Sequence, residues 1–151
     1  MKNKILICFL LIYGVGIAEC EKEILEKENY YYVGCLDYEG KPHGEGELKI
    51  EVDGQVKMYS GEFISGQFNA GEVSIKFESG DLQLTNYLEY PNQISYQSYN
   101  FYNGDKNEIT FELGEKVKEI YVFSNGNKNV VIYELGKKVK EINTNGLGDK
   151  Q

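Results

Sequence analysis

The sequence predicts an all-β fold: an antiparallel meander of stacked β-hairpins in a single sheet, with a short helix at its N-terminal end. The most direct support comes from turn signals in which a small or polar residue precedes glycine, since a type I′ hairpin turn needs two positive φ angles. Their glycines follow one another at intervals of 26, 24, 22 and 20 residues, a spacing typical of a repeat array. The signals are Asp53-Gly54, Ser79-Gly80, Asn103-Gly104, Asn125-Gly126 and Asn145-Gly146.

A second set of turn signals falls between the members of the first set. Together the two sets divide the chain into about ten strands of ordinary length. Residues 45–52 (EGELKIEV) and 72–77 (EVSIKF) alternate apolar and polar residues, which is the pattern of antiparallel strands with one better-buried face. The second set lies near Gly40, Gly66, Pro91, Gly114 and Gly136.

Residues 1–18 are predicted to be a secretory signal peptide. Lys2 and Lys4 give a basic start, an apolar run follows, and small residues precede a cut before Glu19. A membrane anchor is the alternative, but an apolar run of about 14 residues is shorter than the roughly 20 that span a bilayer. The chain is therefore predicted to be exported, to the periplasm or out of the cell.

The remaining chain is predicted to have three parts. Residues 19–29 (ECEKEILEKEN) are charged and favour a short helix over the first sheet edge, or alternatively a frayed lead-in. Residues 30–146 form one continuous hairpin-repeat domain, since no Pro- or Ser-rich linker divides them. Residues 147–151 are expected to be a flexible tail.

Charge and cysteine content limit the partners and the compartment. The chain carries a net charge of −8, which becomes −10 when Lys2 and Lys4 leave with the signal peptide. Such acidity excludes nucleic acid and weakens the case for anionic membranes, because both are bound through basic residues. Cys20 and Cys35 remain after cleavage, and export favours a disulfide between them over two free thiols.

The sequence contains no recognisable catalytic or metal-binding motif. His43 is the only histidine, and its segment GKPHGEG is predicted to be a turn. Two cysteines and one histidine without a CxxC spacing make a poor zinc set. No Ser-His-Asp or Cys-His arrangement can be assembled around His43. The chain is therefore predicted not to be an enzyme and to use no cofactor.

The clearest internal repeat lies near the C-terminus. Residues 111–120 (FELGEKVKEI) and 133–142 (YELGKKVKEI) agree at eight of ten positions across an offset of 22 residues. Equivalent positions, such as Leu113 and Leu135, are expected to stack in neighbouring hairpins, because a single hairpin is marginal in water.

The N-terminal repeats resemble the MORN family, whose unit is a hairpin of about 23 residues with the pattern YxGxFxxGxxxGxG. Residues 59–66 (YSGEFISG) match the first half of that pattern, and residues 32–46 contain an earlier copy with one inserted residue. From Leu82 onward the pattern fades. The residues that carry the resemblance or mark hairpin turns are Tyr32, Gly34, Gly44, Gly46, Gly54, Tyr59, Gly61, Phe63, Gly66, Gly80, Gly104 and Gly126.

The resemblance implies a long sheet used as a scaffold or binding surface. Family members make protein–protein contacts, and some were proposed to bind lipid headgroups. Our first hypothesis for this chain is therefore an exported interaction module that binds a protein or envelope component. Association with membrane lipid is the second hypothesis. The sequence leaves the oligomeric state open.

Aromatic residues indicate where a partner binds. They crowd residues 87–102, where the repeat pattern is interrupted, and local irregularity is expected at functional sites. Stacking within the thin sheet is the alternative role, but tyrosine is also a preferred interface residue. We predict partner contacts from Tyr96, Tyr99, Phe101 and Tyr102, with Tyr99 and Phe101 partly exposed.

Overall fold

The structure is a computed structural model that describes residues 20–146. The predicted signal peptide and the predicted tail at residues 147–151 lie outside the described residues.

One antiparallel sheet of eleven strands makes up the fold, and the strands are hydrogen-bonded in the order of the sequence. Between residues 20 and 146 there is no helix. The strands are β1 (Glu23–Lys27), β2 (Tyr30–Leu36), β3 (Pro42–Val52), β4 (Gln55–Ile64), β5 (Gln67–Lys76), β6 (Leu82–Glu89), β7 (Gln93–Asn100), β8 (Lys106–Glu112), β9 (Glu115–Val122), β10 (Lys128–Glu134) and β11 (Lys137–Thr144).

The predicted helix over residues 19–29 is wrong, because the described part of that segment contains strand β1. This strand pairs along β2, with Leu25 opposite Tyr32. Leu25 also packs against the buried cluster that includes Tyr32, so pairing and burial outweigh the helix propensity of the charged residues. The segment still covers the first edge of the repeat sheet, but it does so as a strand.

A disulfide joins Cys20 to Cys35 at a Cα–Cα distance of 5.7 Å and ties the start of the described chain to the end of β2. The two cysteines close a loop with a sequence separation of 15 residues. In the chain-entropy model, a loop of that length stabilises the folded state by about 3 kcal/mol. A disulfide also suggests a chain that folds in an oxidising compartment.

The two predicted sets of turns lie at opposite ends of the strands, because successive strands run in opposite directions. Turns at residues 53–54, 77–81, 101–105 and 123–127 lie at one end of the strands. We call this border of the sheet the Asx edge. Turns at residues 37–41, 65–66, 90–92, 113–114 and 135–136 share the other edge. The meander is thus confirmed, with ten strands between residues 30 and 146.

One face of the sheet, which we call the core face, holds nearly all of the buried hydrophobic residues. Five of the six buried hydrophobic residues, all except Phe63, fall in a single row that also contains polar and half-buried members. Each residue of the row lies directly opposite the next on the neighbouring strand. The row is Tyr32, Leu48, Tyr59, Val73, Thr85, Gln97, Ile109, Glu119 and Val131. A single sheet has no second layer, so this row is its core.

Large aromatic rings complete the core in the N-terminal half. Tyr32 is fully buried, and the ring of Phe63 packs edge-on against it with centroids 5.1 Å apart. A Cβ at Gly46 would come within 2.3 Å of the Tyr32 hydroxyl oxygen, so only glycine leaves room for the ring there. The same hydroxyl donates a hydrogen bond to the carbonyl oxygen of Cys35 at 2.9 Å. These residues of the MORN-like pattern therefore have a packing role.

Side-chain oxygens connect consecutive turns along the Asx edge. The backbone N–H of Tyr102 donates to Asp81 Oδ1 at 2.8 Å, and that of Ser124 donates to Asp105 Oδ1 at 2.7 Å. Gly146 N–H donates to Asn127 Oδ1 at 2.9 Å in the same way. From residues 77–81 onward, each turn is thereby held to the next segment along this edge by one repeated hydrogen bond.

We expect replacement of Gly126 by Val to lower the free energy of unfolding by about 1–2 kcal/mol. Gly126 has a φ of +86°, a conformation that a β-branched residue resists. The nearest atom to an added Cβ, the Cα of Gly146 beyond β11, would lie 3.5 Å away, so the backbone angle and not a clash is responsible. Urea denaturation measures the effect. Lys128→Val at an exposed strand position is the control, and an unchanged midpoint for Gly126→Val would contradict the prediction.

We expect Leu113→Asn to raise the free energy of unfolding by about 1 kcal/mol. Leu113 has a φ of +51° and is fully exposed, so its side chain gains no burial to offset the backbone cost. Asn tolerates this conformation better. Leu88→Asn, at an exposed strand position without a positive φ, is the matched control and should not stabilise. A loss of stability in Leu113→Asn would show that the leucine packs against something.

Candidate binding surface

Aromatic and amide side chains alternate along the core face beside the core row. Each member lies directly opposite the next across the strands, from β6 to β11. All of them are half-buried except the last, which is exposed on the edge strand. This aromatic–amide row consists of Gln83, Tyr99, Asn107, Tyr121, Asn129 and Asn143.

Two phenylalanines extend the tyrosines of this row toward the Asx edge. The rings of Tyr99 and Phe101 are stacked, with centroids 6.4 Å apart and an interplanar angle of 18°. Phe101 lies 6.3 Å from Tyr121, and Tyr121 lies 4.7 Å from Phe123. We call these four residues the aromatic strip. None of the four rings is fully buried, and Phe123 is 40% exposed.

A half-buried carboxylate organises the polar side of this surface. Glu119 accepts hydrogen bonds from Asn107 Nδ2 at 3.0 Å, from the Tyr133 hydroxyl at 2.9 Å and from Lys116 Nζ at 3.2 Å. Burial alone would raise the pKa of Glu119, but these three donors together hold the pKa below its ordinary value. Glu119 is therefore an anion at neutral pH, and its acceptor oxygens are already engaged.

The amide of Asn107 is only partly satisfied. Its Nδ2 donates to Glu119, whereas its Oδ1 is shielded from solvent and has no hydrogen-bond partner among the described residues. An unpaired acceptor of this kind costs about 1–3 kcal/mol, which a ligand donor can recover.

An open groove of about 470 Å³ lies over this part of the sheet, a volume in the range of small-ligand sites. Its lining includes Asn107, Glu119, Tyr121, Phe123, Asn129 and Asn143.

The same polar arrangement recurs one repeat later. Asn129 Nδ2 donates to Glu141 Oε1 at 2.5 Å, and Lys138 pairs with the same carboxylate. Asn129 also donates to Asn143 Oδ1 at 2.7 Å. Since β11 is exposed along its whole length, this second copy is more open to solvent than the first.

The residues predicted to contact a partner do not all lie together. Tyr99 and Phe101 are partly exposed, as expected, and both belong to the aromatic strip. Tyr96 lies on the opposite face of the sheet, because it is one residue out of phase with Gln97 of the core row. Tyr102 lies in the turn after β7 and is 79% exposed.

Other aromatics of the crowded segment pack against rings of the N-terminal half. The Tyr87 and Tyr90 rings pack edge-on with centroids 4.9 Å apart, and Tyr90 contacts Phe68 at 5.5 Å. Phe68 in turn packs against Tyr59 at 5.3 Å. Tyr87 and Tyr90 therefore stack within the sheet, and Tyr90 is 38% exposed.

Sequence reasoning missed Tyr121 and Phe123 as members of the surface. The signal was present in the 22-residue offset, since residues 99–104 (YNFYNG) and 121–126 (YVFSNG) share the pattern Y-x-F-x-N-G. The repeat identified at residues 111–120 therefore begins earlier in the chain and includes both pairs of rings.

The described residues contain no cluster of candidate metal ligands. Nowhere in residues 20–146 do three or more His, Cys, Asp or Glu side chains converge as metal ligands would. His43 is exposed at the start of β3, and not in a turn as predicted. The part of the chain from residue 20 to residue 146 also holds no helix of the length and hydrophobicity needed to span a bilayer.

Comparison with profiles of known protein families finds no match to this chain. Comparison with curated protein sequences also finds no match. The geometry of the surface is therefore the main basis for a functional proposal.

We expect Glu119→Gln to change how stability depends on pH. Because folding lowers the pKa of Glu119, its contribution is present above the unfolded pKa of about 4.3 and is lost as pH falls through the folded value. The difference in unfolding free energy between wild type and Glu119→Gln should be largest near pH 7 and smaller at pH 3. Urea titrations at both pH values measure this difference. Glu134→Gln, at an exposed hairpin end, is the control, and an equal difference at both pH values would contradict the prediction.

Proposed function

We propose that the chain is an exported, non-enzymatic repeat protein of MORN type that binds a protein or envelope component through its aromatic strip. The observation that carries this proposal is the partial exposure of four neighbouring rings on one face of the sheet. Aromatic residues are enriched where proteins bind partners, because they bury a large area at low entropic cost.

Two further features support the proposal. The Cys20–Cys35 disulfide fits an exported chain in the periplasm or outside the cell. The hairpin array offers a long, regular face, as expected of a scaffold whose repeats are stabilised by their neighbours.

Membrane-lipid association is a second candidate, favoured by two exposed leucines. Leu113 and Leu135 occupy adjacent turns on the edge opposite the Asx edge and are almost completely exposed. Glu112, Glu115 and Glu134 lie beside them, which disfavours anionic lipid. Co-sedimentation with zwitterionic vesicles, lost in the Leu113→Asn/Leu135→Asn double variant, would support this candidate over the first.

Site-specific photocrosslinking in the native host tests the first candidate. A benzophenone amino acid in place of Phe123 should give a discrete adduct, because this ring is exposed on the aromatic strip. The same probe in place of Tyr31, an exposed residue on the opposite face, is the matched control and should give none. Combining the Phe123 probe with Tyr99→Ala and Phe101→Ala should abolish the adduct without unfolding the protein.

Equal adducts from both faces, or none from position 123, would contradict the proposed function. Unfolding of the Tyr99→Ala/Phe101→Ala variant would instead assign these rings to the core. Circular dichroism and a urea denaturation curve distinguish that outcome from a loss of binding.

A further inference from the structure

We propose that the ligand of the aromatic–amide row is a neutral, linear oligosaccharide that lies across the strands from β7 toward β11. The inference rests on the proposed function, and it assigns the chemical class of the envelope component that this surface recognises. It is carried by the alternation of half-exposed rings with amide side chains, by the charge of the groove and by the length of the row.

The alternation of side chains suits a sugar chain. A pyranose ring has a C–H face that packs on an aromatic ring and a rim of hydroxyl groups that both donate and accept hydrogen bonds. Each tyrosine of the row has an amide directly across on each neighbouring strand, with Tyr121 between Asn107 and Asn129. An amide offers two donors and an acceptor, so it can serve a hydroxyl in either sense.

The unsatisfied acceptor of Asn107 adds a specific position for such a hydroxyl. Asn107 Oδ1 has no partner among the described residues, while the rest of the side chain is held by Glu119. A small rotation of the amide toward the groove would let a ligand hydroxyl donate to this oxygen. Binding would then remove an energetic cost that the free protein carries.

The charges of the surface restrict the sugar to a neutral one. Glu119 is ionised at neutral pH, and Glu141 lies in the equivalent position one repeat later. The Tyr121 hydroxyl also faces a carboxylate, since it donates to Asp105 Oδ2 at 3.5 Å. Lys116 and Lys138 are paired with the two glutamates, so they are not free to bind an anionic group. Sulfated or uronic acid polymers are therefore repelled.

The dimensions of the row call for several sugar units. Neighbouring strands lie about 4.8 Å apart, so Tyr99 and Tyr121, which are two strands apart, lie roughly 10 Å from each other. The full row from Gln83 to Asn143 crosses five strand spacings, or about 24 Å. A linear chain can contact both tyrosines at once, whereas a monosaccharide reaches only one, so affinity should rise with chain length.

Isothermal titration calorimetry of the full chain with cellohexaose, laminarihexaose and chitohexaose tests the proposal. At least one hexasaccharide should bind, and its disaccharide should bind at least tenfold more weakly. Tyr121→Ala and Asn107→Ala should each weaken binding about tenfold, which corresponds to about 1.4 kcal/mol. Tyr121→Phe retains the ring and should retain binding. Tyr31→Ala, on the opposite face, should bind as the wild type does.

A fluorescent variant keeps the test informative if Tyr121→Ala does not fold. The chain contains no tryptophan, so Tyr121→Trp introduces a single reporter at the centre of the row. Its emission should shift when the bound hexasaccharide is added, whereas the emission of Tyr31→Trp should not. An anionic hexasaccharide of galacturonic acid should produce no shift.

Three results would overturn the proposal: no binding of any neutral hexasaccharide, binding unaffected by Tyr121→Ala and Asn107→Ala, or equal shifts from both tryptophan reporters. A protein adduct from the probe at position 123, together with no oligosaccharide binding, would overturn the sugar assignment and leave the proposed function standing. Oligosaccharide binding that depends on Tyr121 supports both.

Discussion

The rest of the structure depends on one constraint, which is that a single-layer sheet has no second layer on which to bury its apolar face. Each hairpin must be stabilised by its neighbours within the sheet. In the N-terminal half this is achieved with rings: Tyr32 lies over glycine, and Phe63 packs edge-on against it at 5.1 Å. Rings of this size bury much apolar area per residue. The two fully buried rings among the described residues, Tyr32 and Phe63, therefore lie in this half of the chain.

The C-terminal half meets the same constraint with fewer buried rings. Its core row alternates Ile109 and Val131 with Glu119, and repeated hydrogen bonds at the Asx edge hold the turns together. The bond needs an acceptor oxygen and not a charge, because the amide of Asn127 serves where Asp105 serves one repeat earlier. Where the acceptor is a carboxylate, the bond also affects its ionisation. The hydrogen bond from the Ser124 N–H is the main reason that the pKa of Asp105 is lowered.

The sequence predicted correctly those features that depend on the backbone conformation of a single residue. Glycines such as Gly126 mark the turns because few other residues adopt a positive φ there. It failed where the outcome depends on a distant strand. Leu25 looks helical among its charged neighbours, and only its pairing with Tyr32 makes it part of a strand. Likewise, the donors to Glu119 come from strands β8 and β10 as well as its own, so no local pattern could assemble them.

The face that stabilises the sheet is also the face that carries the candidate site, because the core row and the aromatic–amide row lie side by side. The two roles are separated along the array. Phe68 and Tyr90 pack edge-on at 74°, whereas Tyr99 and Phe101 stack at 18°. The exposed rings end before the edge strand, where Asn143 stands at the position equivalent to Tyr121. A polar residue there keeps the last strand from presenting an apolar edge to other chains. The aromatic strip therefore lies in the interior of the array. The strands that carry or precede its rings, β7 and β9, are each paired on both sides, and this pairing fixes the positions of the rings.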